Sequence, residues 1–354
     1  MQTSKSKWTK RIAGALSLLV FLAGMNAGLN YLLVEHTYAD DYVADLEALK
    51  ADGSNAKIVF LGSSRTFHSF VPEVFEEAFG IGTGALKGTS EEKEIALNAG
   101  SALQTPEGSY YALKDLLDRG FKPEYAIMGV SYNLLTTQLW AQADLILLDR
   151  MTPKNYLDYL LNAYEDENRY YAFSKLYRYR GNLTRERIKR NLEEKAARKA
   201  AAASGQPFVK DGEYYNGKGY VVNNASLPEQ IASGALAEPE IDEFNAELIR
   251  SDRERYMTKL ASLCREHDIK LIIVDTPTSG YMMDHVASYA EANAWWEDYA
   301  LHYGLTYLNY NYIEHKDELF PDSLFMDYNH LNHDGAVKFS EICANEIKEI
   351  QWGF

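Results

Sequence analysis

Hydrophobic positions fall into three regimes along the chain. From Ile12 to Val34 they are nearly continuous: 23 residues carry no formal charge, and only Ser17, Asn26 and Asn30 interrupt the apolar run. At about 1.5 Å per helical residue this stretch reaches roughly 34 Å, enough to cross a hydrocarbon core of about 30 Å. It exceeds the roughly 7 to 15 apolar residues of a signal peptide, and Thr37 with Ala39 makes a poor cleavage site. An uncleaved single-pass anchor is expected.

After an acidic helical stretch at 40–50, short apolar runs alternate with helical periodicity. Residues 57–62 (KIVFLG), 95–99, 125–130, 270–274 and 305–308 read as strands, and 71–79, 109–117 and 333–350 as helices. In the last helix Ala336, Phe339, Cys343, Ile347 and Ile350 recur at three and four, as one buried face requires. Strands alternating with helices predict a parallel sheet covered on both faces, with its chemistry at the C-terminal strand ends. The third regime, 134–254, has helical stretches and polar turns without persuasive strand alternation. Because strands occur on both sides of it, we read 136–254 as a mostly helical insertion in one α/β domain. The organisation is a basic tip at 1–11, an anchor at 12–34, a connector at 35–55 and a domain at 56–354.

Charge sharpens this picture. The net of −15 divides into +4 in the first 11 residues (Lys5, Lys7, Lys10, Arg11) and −19 in the rest. The positive-inside rule places the tip in the cytoplasm and everything after about His36 outside. An acidic exterior portion argues against nucleic-acid binding, which needs a basic surface. Locally the balance reverses: Tyr and Arg interleave from Tyr170 to Arg180, and 175–199 holds ten Lys or Arg against three Glu. That segment is a solvated helix or a patch facing the membrane or an anionic wall polymer. Two cysteines, Cys264 and Cys343, exclude a disulfide scaffold and leave a single bridge open.

Two blocks carry candidate chemistry. Gly62-Ser63-Ser64-Arg65 follows the first strand, where Ser64 can project into a crevice above the sheet. Asp327-Tyr-Asn-His330 precedes the last helix, so one carboxylate can hold one imidazole nitrogen while the other nitrogen acts as a base toward a hydroxyl. Arg65 and His68 are candidates to bind an acyl or acidic group. His330-x-x-His333 with Asp327 and Asp334 resembles a metal cluster, but the Asp-His dyad explains two members and no third ligand group is evident; no metal or cofactor is expected. Gly80-x-Gly82-x-Gly84 follows a helix instead of a strand and reads as a loop.

Ser64 of the Gly-x-Ser block, Gly100 in Leu97-Asn98-Ala99-Gly100, and Asp327 with His330 together resemble the SGNH, or GDSL-like, hydrolase superfamily. The stretch 325–339 is similar to a membrane-anchored branch encoded with cell-surface polysaccharide acylation systems, including the D-alanyl transfer protein of teichoic acid modification and alginate O-acetylation proteins. The match covers roughly 56–135 and 255–354. It implies a flavodoxin-like three-layer α/β/α sandwich, with Ser64 as nucleophile, His330 as base and Asp327 as its orienter. It also implies an oxyanion hole from the Ser64 and Gly100 amides. The family's Gly-x-Asn-Asp block, whose Asn is a third oxyanion donor, departs here: the corresponding stretch is Gly129-Val-Ser-Tyr-Asn133, which makes Asn133 the candidate for that role, two positions late. The resulting expectation is O-acyl transfer, acetyl by preference, to an extracellular envelope polysaccharide, with a membrane-bound acyltransferase as partner. The alternatives are a carbohydrate esterase with the same triad, and a non-catalytic accessory that binds glycan or a membrane acyltransferase.

Overall fold

The computed structural model describes residues 2–82, 93–136, 150–162 and 175–352; Gly84 of the glycine triplet and Tyr170 of the Tyr/Arg tract fall outside them. Helix α1 (Gln2–Leu33) contains the apolar segment Arg11–Leu33, whose mean hydropathy is 1.9 and in which only the terminal Leu33 is buried. It is long and apolar enough to cross a membrane. Helix α2 (Tyr38–Ala51) follows, started by a Thr37–Asp40 capping box in which the Thr37 amide donates to Asp40 Oδ2 at 2.8 Å.

The domain then alternates as the hydrophobic pattern implies. Strand β1 (Ser54–Leu61) is followed by α3 (Ser64–Ser69), α4 (Pro72–Phe79), β2 (Lys93–Asn98), α5 (Pro106–Asp118) and β3 (Tyr125–Val130). Next come α6 (Pro153–Asn162), α7 (Arg185–Ala203) and a small hairpin, β4 (Glu213–Tyr215) with β5 (Val221–Asn223). Strand β6 (Asp242–Glu243) and α8 (Ser251–Glu266) lead into β7 (Lys270–Asp275). The chain continues through β8 (Val286–Ala287), α9 (Tyr289–Tyr303) and β9 (Thr306–Asn309) to α10 (His333–Trp352).

Five strands form one parallel sheet in the order β2-β1-β3-β7-β9. Alternate residues leave opposite faces, so the apolar runs fill two cores. Val59, Leu61, Ala126, Met128, Leu271 and Ile273 pack with Leu113 of α5, Leu260 of α8 and Trp296 of α9. Ile58, Phe60, Ile127, Ile272 and Val274 pack with Phe75 of α4 and with Phe339, Cys343 and Ile347 of α10. A three-layer α/β/α sandwich with a flavodoxin-like strand order results, and its switch point lies between β1 and β3. Cys264 and Cys343 belong to different cores on opposite sides of the sheet and are both free, which closes the question of a bridge between them.

The segment between β3 and β7 differs from its sequence reading by containing the β4/β5 hairpin. Asp45 of α2 accepts from the Tyr215 hydroxyl and the Lys218 amide at 2.7 Å each, and the Lys218 carbonyl accepts from the Asn98 amide at 2.8 Å. Gly219 at φ +83° lies so close to β2 that a Cβ there would sit 1.7 Å from the Asn98 carbonyl oxygen. The basic helix α7 meets the end of α1. Asn191 Nδ2 donates to the Leu32 and Val34 carbonyls at 2.8 and 3.1 Å, and Asn182 Nδ2 to Leu33 at 3.0 Å. A helix leaves its last four carbonyls without intrahelical partners, and here the side chains of the segment around α7 supply them.

Candidate active site

Ser64 is placed by a turn that requires glycine. Gly62 leaves β1 at φ +134°, and a Cβ on it would lie 2.3 Å from Thr66 Oγ1 and 2.6 Å from the Gly129 carbonyl oxygen of β3. The chain reverses through Ser63, and Ser64 opens α3 at the C-terminal end of β1, beside the switch point. Its side chain is partly exposed, whereas the residues after it, Arg65 to Ser69, are buried.

The Asp327 block reaches Ser64 from the loop that precedes α10. Ser64 Oγ lies 2.7 Å from His330 Nε2, and both Asp327 oxygens lie 2.9 Å from His330 Nδ1. A carboxylate facing Nδ1 keeps the ring proton there and leaves Nε2 as the acceptor for the serine hydroxyl. Asp327 Oδ1 also accepts from the Asn329 and His330 amides at 2.8 and 2.9 Å, so local backbone fixes its orientation. Burial raises the Asp327 carboxyl, but its interactions with His330 and these two amides outweigh that and hold it at about 2. The dyad keeps a path to solvent, with side-chain exposures of 21% for His330 and 31% for Asp327.

The other expected site residues are placed differently. Arg65 and His68, anticipated as substrate-binding groups, are buried at 7% and 3% exposure. Arg65 Nη1 donates to Thr278 Oγ1 at 2.6 Å, Nη2 donates to Asn329 Oδ1, and the guanidinium lies 5.8 Å from the Tyr132 ring centre. It therefore clamps the Asp327 loop against α3. His68 Nδ1 donates to the Val221 carbonyl of β5 at 3.0 Å, and Nε2 lies 3.4 Å from Glu213 of β4. Its ring stands edge-on to His330 with centres 5.5 Å apart. Burial lowers the His68 imidazole pKa and nearby His330 adds to the effect, against the opposing pull of Glu213.

Two anticipated oxyanion donors are engaged with protein acceptors. The Gly100 amide donates to Asn98 Oδ1 at 3.1 Å, because the Asn98 carboxamide is held there by its Nδ2 bonds to the Thr66 and Phe70 carbonyls. Asn133 Nδ2 donates to Asp242 Oδ2 at 3.1 Å, and its oxygen accepts from Ser131 Oγ at 3.0 Å. The Ser64 amide differs: at the first helical position it has no intrahelical acceptor. His333 turns to Tyr220, whose hydroxyl lies 2.9 Å from its Nδ1. No metal-holding group of three His, Cys, Asp or Glu gathers among the described residues.

Sequence reasoning missed His68's true setting and the hairpin behind it. Both signals were present: His68 is four residues after Ser64, hence on the same helical face, and Asn216-Gly217 is a strong hairpin-turn dipeptide.

A protein-family model matches residues 244–351, the part holding β7, β9, α10 and the Asp327–His330 block. A comparison with curated proteins finds no match. Among solved structures, a GDSL-like lipase from Bacteroides thetaiotaomicron is similar at 11% identity, covering 88% of this chain and 98% of its own, with a TM-score of 0.36. A candidate acylhydrolase from Bacteroides fragilis is similar at 11% identity over 89% of this chain and 99% of its own, with a TM-score of 0.37. Neither superposition is close enough to carry a functional argument, which the geometry around Ser64 has to supply by itself.

Proposed function

We propose that this protein is a membrane-anchored serine acyltransferase of SGNH type that moves an acyl group, acetyl by preference, onto an extracellular envelope polysaccharide. The observation carrying the chemistry is the hydrogen-bonded chain Ser64 Oγ, His330 and Asp327, at 2.7 and 2.9 Å. In this reading Ser64 Oγ attacks the acyl carbonyl while its proton passes to His330 Nε2, and Asp327 stabilises the imidazolium. The tetrahedral oxyanion forms against the Ser64 amide. Collapse breaks the bond to the leaving alkoxide, which takes the proton from His330 and leaves an acyl-Ser64. A sugar hydroxyl then attacks that ester while its proton passes to His330, the acyl–Oγ bond breaks, and Ser64 Oγ takes the proton back from His330. Water in the same role completes a hydrolysis.

The exposed apolar helix α1 supports the anchored reading, with the tip inside and the domain outside. Transfer, as opposed to hydrolysis, is favoured by that anchor, which would hold the site beside a membrane-bound acyltransferase supplying the acyl group. The sequence resemblance points the same way. The test uses the full chain in detergent with a chromogenic acetate ester, with and without an oligosaccharide acceptor. The proposal predicts ester cleavage that Ser64→Ala abolishes, and an acetylated oligosaccharide by mass spectrometry. Cleavage without that product makes the protein an esterase, and equal signals from wild type and Ser64→Ala leave the accessory role.

A further inference from the structure

Beside the loop that carries Gly100 lies a small cleft of about 80 Å3 that opens to solvent. It is bounded by Tyr38 of α2, Phe67 of α3, Ala102 of the Gly100 loop and Tyr215 and Val221 of the hairpin, and it contains one formal charge, Arg150. The cleft therefore lies between the chain leaving α1 and the helix that bears Ser64. Aromatic and aliphatic walls with a few polar groups, here Thr37, Ser101 and Arg150, are the usual make-up of a small-molecule site.

Arg150 has an unusual environment for a cation. It is 8% exposed, yet among the described residues its one hydrogen-bond acceptor is the Gly100 carbonyl, 3.2 Å from Nη1. Nε is buried without a partner. The guanidinium stacks over the Tyr42 ring at 4.5 Å, and no carboxylate forms an ion pair with it among the described residues. Asp115, which shares a small neighbouring cavity with Arg150, is already paired with Arg119 Nε at 2.7 Å, and Asp40 is turned to the Thr37 amide at 2.8 Å. Burial lowers the Arg150 pKa, which Tyr42, Tyr215 and Asp40 only partly offset. A guanidinium has five donors in a fork that fits an oxyanion, and buried charges in proteins are normally paired. Among the described residues the fork is built and packed and meets no anion.

We propose that the Arg150 cleft binds an oxyanion, a carboxylate or a phosphate, carried on a group with an apolar face such as a sugar ring. The aromatic walls at Tyr38, Phe67 and Tyr215 take the apolar face, and Arg150 takes the anion. Calling this ligand a substrate rests on the reading of Ser64 as nucleophile, because Phe67 of the cleft wall lies three residues after Ser64 on α3. In that role it is an acidic acceptor glycan, and the site selects for acidity.

The experiment is saturation-transfer NMR on the full chain in nanodiscs, titrated separately with glucuronate, glucose 6-phosphate and glucose. At least one of the two anions binds saturably and glucose binds at least tenfold more weakly; which anion binds decides between carboxylate and phosphate. Arg150→Gln weakens anion binding by roughly 10- to 100-fold, the loss expected for charge-assisted hydrogen bonds. Because removing a buried Arg endangers folding, Ala102→Phe, which fills the cleft from a surface loop, is the second variant and lowers binding at least tenfold. Binding of neither anion to wild type, or unchanged anion binding in Ala102→Phe, overturns the proposal. Binding is read without turnover, so this result stands apart from the ester assay that tests Ser64.

Discussion

Replacing Asp327 with asparagine isolates the tautomer argument, because the surroundings dictate how the new side chain must sit. Asp327 Oδ1 accepts from two backbone amides, those of Asn329 and His330, at 2.8 and 2.9 Å. The carboxamide oxygen takes that position, since an NH2 group there would face two donors. Oδ1 is equally 2.9 Å from His330 Nδ1 but is already taken up by the two amides, so the nitrogen in the place of Oδ2, also at 2.9 Å, donates to Nδ1. Nδ1 becomes the acceptor, the ring proton moves to Nε2, and Nε2 confronts Ser64 Oγ as a donor. The base is present, in position and in the wrong state. A mismatched tautomer in a serine triad costs about 10⁴ in kcat, or about 5.5 kcal/mol at 1.36 kcal/mol per tenfold. The effect on folding is much smaller. The Asp327 carboxyl is depressed to about 2, so it stabilises the fold above about pH 4 and that contribution fades as pH falls toward 2. With 31% of the side chain exposed, solvent screening reduces this to about 1 kcal/mol at pH 7. The assay is chromogenic ester hydrolysis by the full chain, alongside thermal unfolding of the same samples. Folded Asp327→Asn protein with kcat within tenfold of wild type would falsify the tautomer reasoning.

Three further outcomes follow from buried groups. Asp275 has Tyr289 donating to its Oδ2 at 2.6 Å, and burial pushes its carboxyl up to about 6. The folded chain then holds a proton that the unfolded chain releases, so stability falls as pH rises from about 4 to about 6, by at most about 3 kcal/mol. Asp275→Asn flattens that decline in melting temperature, and an unaltered slope would contradict the assignment. Gly219→Ala, with its Cβ 1.7 Å from the Asn98 carbonyl oxygen, loses about 3 kcal/mol in denaturant unfolding, whereas Gly181→Ala, which meets nothing within 4 Å, changes stability by under about 0.5 kcal/mol. Cys264 and Cys343 are buried and free, and burial pushes the Cys264 thiol up to about 12. Intact-mass measurement therefore finds no labelling by a thiol reagent before denaturation and two labels after it; a native label would place one thiol at the surface.

What was legible in the sequence, and what was not, follows from the range of the interactions. The β3 run 125–130 reads as a strand because it is buried on both faces, where a continuous apolar stretch is the whole signal, and the observed strand is Tyr125–Val130. The last helix is legible from the spacing of Ala336, Phe339, Cys343 and Ile347, all buried, whereas Ile350, expected on the same face, is exposed near the helix end. The Asp327–His330 contact was readable because it spans three residues. By contrast, the burial of Arg65 and His68 depends on Thr278, Asn329 and Val221, which are remote in sequence and brought in by tertiary packing. Asn98 likewise takes up the Gly100 amide only because its own amide group is held by the carbonyls of Thr66 and Phe70. Strands of three residues such as β4 and β5 carry too few alternations to declare a period, although the Asn216-Gly217 turn between them was visible.

The claim on which the functional account depends is that Ser64 is a nucleophile activated by His330. Its most direct measurement is peptide mapping by mass spectrometry after the full chain has been exposed to a fluorophosphonate, which is captured covalently by an activated serine. The account predicts one adduct, on Ser64, formed at least 100-fold more slowly in His330→Ala. An adduct elsewhere, or labelling of Ser64 at the same rate with and without the imidazole, would contradict it.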